Sequence, residues 1–144
     1  MISNDLIQAA IIAKLQGNTA LVNFLTSKSA SGEVREVQWQ GRGFVYPAVR
    51  AAVGTQTPGG NGPCYTVNGE TAFTVMSFSE LDSSEEADQL AGLVGDALLG
   101  LHIVGTGFRT GPVLSDGHVH ATRTGGRVWQ AVTTYRMQIY GGLP

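Results

Sequence analysis

AFTVMSFSELDSSEEADQLAGLVGDALLGL, residues 72–101, decides the fold, because an extended run passes here directly into an amphipathic helix. Phe73, Val75, Ser77 and Ser79 alternate with Thr74, Met76, Phe78 and Glu80, and apolar side chains fall on both sides. That pattern predicts a strand covered on both faces along much of its length. Ser83 and Glu86 stand at capping-box spacing, which predicts a helix starting near Ser84. Ala87, Leu90, Ala91, Val94, Ala97, Leu98 and Leu101 recur at three- and four-residue steps and form one apolar stripe, wide enough to cover a sheet. Asp82, Glu85 and Asp88 lie where the helix dipole favours acids, and Gly100 is placed to stop the helix.

Gly92, Gly95 and Leu99 share the opposite side of this helix. Glycine costs roughly 1 kcal/mol relative to alanine in a helix interior, so a pair of them away from the core stripe marks a place for close approach by another backbone, with a neighbouring subunit as candidate.

A chain of 144 residues is the size of one domain. Charged residues make up 14% of it, against about 25% in ordinary globular chains, while glycine reaches 20 residues. Interface cores are depleted of charge, so this composition points to an oligomer. The net charge of -2 is unevenly spread: between Arg50 and Arg109 there are seven acids and no base, giving -7, and the flanks hold nine bases against four acids, giving +5. An acidic face of one copy can thereby meet a basic face of the next. The bases neither cluster nor alternate with aromatics, so no nucleic-acid groove is expected. Cys64 is the single cysteine, which excludes an internal disulfide framework and a cysteine zinc cluster. The N-terminus, with Asp5 before the apolar run and Lys14 within it, fits neither a signal peptide nor a membrane span.

Along the chain, Ser3 or Asn4 caps a first helix with Ile7, Ile11 and Leu15 on one face, ended by Gly17. Residues 18–26 form a short second helical turn, and Ser27–Gly32 a polar loop. Glu33–Gln40 reads as a partly exposed strand with Val37 and Trp39 on one face. An extended segment follows in which Pro47 favours an edge or a bulge. Gly54–Cys64 reads as a long irregular loop, and Asn68-Gly69 as a tight hairpin turn. Gly105–Pro112 is a glycine-rich connection. The chain closes with a hairpin turning at Gly125-Gly126, its last strand alternating Trp129, Ala131, Thr133, Tyr135, Met137 and Ile139 against Gln130, Thr134, Arg136 and Gln138. The expected architecture is α+β: a mostly antiparallel sheet packed against an N-terminal helix and one long central helix, with a C-terminal β-hairpin.

Chemistry finds little support. His118 and His120 share a strand face, with His102 as a third candidate metal ligand, but no carboxylate except Asp116 accompanies them. Ser79, Ser83 and Ser84 lack a nucleophile elbow, GTGFRTG follows a helix where a phosphate loop precedes one, and Cys64 has no cationic neighbour. Neither an enzyme nor a bound metal or cofactor is expected.

The helix DLIQAAIIAKLQGNTALVNFL, the strand, turn and helix VMSFSELDSSEEADQLAGLVGDALLG, and the final strand RVWQAVTTYRMQIYG resemble, in this order, the tail terminator or tail completion proteins of long-tailed bacteriophages. The resemblance covers nearly the whole chain and departs from the family in the Gly54–Cys64 segment. It implies a single domain over residues 1–144, a hexameric ring without catalysis, made in the host bacterial cytoplasm and ending in the neck of the virion. The implied role is to end tail-tube polymerisation and present a surface to the head connector or stopper protein, with tail tube protein as the other partner. On this basis Arg42, Glu85, Glu86, Asp88, Gly92, Gly95, Leu99, Arg109 and Arg127 are candidates for contacts between subunits. Thr57, Asn61, Thr106, Phe108 and Asp116 are candidates for contacts with tube, connector or lumen. The alternatives are a head-side connector ring, or a small cytosolic metal- or ligand-binding domain using His118 and His120.

Overall fold

The computed structural model describes residues 2–28, 34–36, 46–59, 67–81, 83–124 and 128–141. Three helices lie against a sheet in the order α1 (Asn4–Gln16), α2 (Thr19–Ser27), β1 (Val34–Glu36), β2 (Ala48–Gly59), β3 (Val67–Ser79), α3 (Glu85–Leu98), β4 (Val104–Gly105), β5 (Phe108–Thr110), β6 (Leu114–Thr124) and β7 (Val128–Gly141). The sheet runs β1-β2-β3-β7-β5-β4, with β6 also paired to β7. Only β1 and β2 run parallel among the described pairs; the rest are antiparallel. The expected α+β class is therefore the observed one.

The sheet is built around β3 and β7, which pair without a break from Val67↔Gly141 to Ser79↔Trp129. Alternation then places Phe73 and Val75 of β3, and Ala131, Tyr135, Met137 and Ile139 of β7, in the core beneath the helices. Tyr135 and Phe73 stack there with ring centroids 5.3 Å apart. Onto this face α3 lays Leu90, Val94, Ala97 and Leu98, while α1 contributes Ile7, Ile11 and Leu15 and α2 contributes Leu21 and Leu25. A second cluster forms where Ala87 and Ala91 of α3 meet Ala121 and Ala131, with Trp129 alongside. The apolar stripe of α3 is thus the one its spacing predicts, except that Leu101 lies past the helix end and is exposed. Gly100, at φ 74°, takes the left-handed turn that follows this end.

Several expectations are corrected. β3 carries apolar residues on both sides, but only one side is buried; Thr74, Met76 and Phe78 on the other are half-buried. The capping box at α3 does not form: the N-cap is Ser84, without a side-chain cap, and Ser83 Oγ accepts only from the Glu85 amide, at 3.4 Å. Glu86 is drawn into the core instead. Asn68-Gly69 is no turn, because Asn68 pairs with Gly59 and Tyr140, and Gly69 with Pro58 and Ile139, in the middle of the ladder. The first part of the supposed loop after Gly54 continues β2, with a register shift between Val53 and Gln56. Loop-like composition was outweighed there by pairing with β3. Pro47 directly precedes β2, whose first residues lie between β1 and β3, so it marks a strand start and no edge.

Residues 18–26 make more than a turn. Residues 19–26 fall in the nine-residue helix α2, and Asn18 is its N-cap, accepting from the Leu21 amide at 2.9 Å. The Gly105–Pro112 connection holds a small hairpin, β4–β5, turning at Thr106 and Gly107. The C-terminal hairpin is present as expected, with Thr124 paired to Val128. The Gly125-Gly126 turn, Val37, Trp39, Cys64, Asp82 and most of the Ser27–Gly32 loop lie outside the described residues.

Candidate functional site

α3 presents an outer face set by helical periodicity. Glu85, Gln89, Gly92, Asp96 and Leu99 follow one another along it and are exposed, Leu99 to 44%. Gln89 Nε2 donates to Glu85 Oε1 at 3.3 Å, one turn away. A Cβ on Gly92 would meet nothing within 4 Å, so this part of the helix offers bare backbone to the outside. Gly95 is half-buried and belongs partly to the core, since a Cβ there would lie 3.7 Å from Leu99 Cδ1 and 3.8 Å from the Tyr135 hydroxyl.

The other acids of this helix are engaged within the chain. Glu86 is 5% exposed; its Oε1 accepts from Ser79 Oγ at 3.0 Å, and its Oε2 lies 3.8 Å from Lys28 Nζ. Asp88 ties α3 to β6, accepting from the Ala121 amide at 3.1 Å and standing 3.2 Å from His120 Nδ1. Both carboxylates thus have partners within their own chain, Glu86 in the core and Asp88 half-buried at the α3–β6 junction. Arg42 and Arg127, two of the basic candidates for contacts between subunits, lie outside the described residues, as does Asn61.

At the far end of the sheet, pairing across β4, β5 and β7 sets Val104, Arg109 and Tyr140 in one row. Val104 is 77% exposed and Tyr140 41%, and Arg109 is exposed between them. Their neighbours in sequence, Phe108, Thr110 and Ile139, point into the core. Phe108 is therefore a core residue of this chain, with its ring packed over Gly105. Thr106 is exposed at the β4–β5 turn. Thr57 pairs with Glu70 in β2. Asp116 is exposed and 3.6 Å from Arg136 Nε, which also faces Glu70 at 4.0 Å.

The three histidines do not converge. His102 Nδ1 is 3.0 Å from the Thr110 carbonyl, His118 Nδ1 is 2.8 Å from Thr133 Oγ1, and His120 faces Asp88. No group of three potential metal ligands occurs among the described residues. A small open depression is lined by Lys28, Tyr46, Pro47, Glu80, Leu81 and Glu86, and burial, reinforced by Glu80 and opposed by Arg50, raises the Tyr46 phenol above its ordinary value. No described helix is long and apolar enough to cross a membrane.

Over 95% of its length the chain matches a chain in the virion of a native gene transfer agent particle, covering 96% of that chain at a TM-score of 0.72 and 16% identity. The fold is shared with a virion chain. A second solved chain matches over 100% of this chain and 99% of its own length, at a TM-score of 0.59 and 20% identity. No protein-family model and no curated protein matches the sequence. What is shared at these identities is the fold, so the stripe on α3 and the Val104–Arg109–Tyr140 row are described from this chain alone. The row could not be read from the sequence, because its members are 5 and 31 residues apart and only the strand register joins them.

Proposed function

We propose that this protein is a structural component of a phage-like virion that forms a ring at the head-proximal end of the tail tube. There it ends tube polymerisation and offers a surface to the head connector. The observation that carries the virion part of this reading is the shared fold, end to end, with a chain of the gene transfer agent virion. The position at the tube end rests on the tail-terminator pattern of the sequence, above all the β3–α3 unit. An exposed α3 face without basic residues and an exposed Val–Arg–Tyr row supply two different patches, as a closed ring of identical subunits requires.

Immunogold labelling of intact particles from a strain that encodes the chain tests the placement. Gold at the junction of head and tail is expected. Gold along the tail shaft, on the head shell or nowhere on the particle would overturn the reading, and gold confined to the head side of a tail-less particle would favour a connector ring.

A further inference from the structure

We infer that the Val104–Arg109–Tyr140 row receives the outer stripe of α3 from a second copy of this chain. This contact names the subunit interface of the proposed ring and rests on that reading for its biological setting.

The two patches match in spacing and in order. Neighbouring strands lie about 4.8 Å apart, so the row sets its three side chains at successive steps of that length. Along a helix the rise is about 1.5 Å per residue, so Leu99, Asp96 and Gly92 follow at steps of about 4.5 and 6 Å. Laid on the row in that order, Leu99 meets Val104, Asp96 meets Arg109, and the bare backbone at Gly92 meets the Tyr140 ring. Apolar side chain faces apolar side chain, acid faces base, and the aromatic ring falls where no Cβ stands in its way.

Each member is available for this contact. Asp96 and Arg109 are exposed, and neither makes an ion pair among the described residues. α3 carries no Lys or Arg, so the only charges on the stripe are acidic, Asp96 and, about three turns earlier, Glu85. Arg and Tyr are the residue types that most often anchor interfaces, and a Val exposed to 77% gains from being covered. The patches also lie on opposite faces of the sheet: α3 covers the face to which Ile139 points, and Tyr140 points the other way. A copy cannot satisfy its own pair, and the contact runs head to tail from one copy to the next.

Sedimentation of the full chain at moderate salt, over a concentration series, tests this. Arg109→Glu and Asp96→Lys are each expected to weaken self-association about tenfold, and the two together to restore it to within about threefold of the wild type. Both positions are exposed, and far-UV circular dichroism verifies that each variant keeps the wild-type fold. Single variants that associate like wild type, or a combined variant no better than the weaker single one, would overturn the contact. So would a wild-type chain that stays monomeric at every soluble concentration. That last result leaves the virion reading to the particle labelling, which does not depend on association in free solution. Assembly that depends on a different protein and is unaffected by either substitution would likewise overturn the contact.

Discussion

The Ser79 hydroxyl donates to Glu86 Oε1 at 3.0 Å, joining the last residue of β3 to the first turn of α3. Ser79 Oγ also accepts from the Leu81 amide at 3.2 Å, so one serine holds both the turn and the helix start. A buried carboxylate with a hydroxyl donor and an ammonium at its rim is costly to disturb, because truncation leaves desolvated polar atoms unpaired. Glu86→Ala is expected to lower stability by about 2 kcal/mol in chemical denaturation, and Glu86→Gln by less than half of that. Equal stability of all three proteins would show that the hydrogen bond contributes nothing. Reversal of Glu86 to Lys would unsettle the fold before it reported on any interface.

Gly105 admits the Phe108 ring. A Cβ there would overlap the ring and lie 3.1 Å from Ala10 Cβ, so β4, β5 and α1 meet at this point. Gly105→Ala is expected to cost about 1–3 kcal/mol through displacement of Phe108, read as a lowered melting temperature. An unchanged melting temperature would mean the hairpin shifts freely.

Tyr135 is fully buried, and its hydroxyl makes no hydrogen bond among the described residues. Burial pushes its phenol up to about 12 from the ordinary 10.0. The folded state thus holds the proton more tightly than the unfolded chain. Its contribution is intact below about pH 10 and is lost as the pH rises from there toward 12. Tyr135→Phe should remove this alkaline decline while leaving stability at neutral pH nearly unchanged, since no hydrogen bond is broken. Denaturation midpoints at pH 8 through 11 measure it, and parallel declines in both proteins would assign the loss to other groups.

Gly92 separates folding from assembly. Its position is open, so Gly92→Ala should raise monomer stability by up to about 1 kcal/mol through helix propensity. Gly92→Leu should leave the monomer folded and weaken association, because a branched side chain occupies the space facing Tyr140 of the next copy. Unimpaired association of the leucine variant would contradict the docking of the stripe.

The legible parts of this fold are those where local pattern and tertiary burial agree. The α3 stripe and the alternation of β7 each follow one period over many residues, and the core sits where they place it. Turn signals misled where long-range pairing outweighed them. Asn68-Gly69 and Pro58 read locally as loop, yet lie opposite one another in a strand ladder whose length is fixed by β7. Glu86 sits at capping-box spacing but is claimed by Ser79, seven residues earlier and across a turn that periodicity does not describe. Charge segregation pointed correctly to α3 as an acidic element, but only side-chain partners distinguish Glu85 and Asp96 from the internally engaged Glu86 and Asp88.

The most direct measurement polymerises purified tail tube protein with and without this chain and follows tube length and tube ends by electron microscopy. The expected result is a ring on one end of each tube and lengthening that stops once those ends are occupied. Tubes that lengthen at the same rate and keep bare ends in the presence of excess folded chain would contradict a role in ending the tail tube.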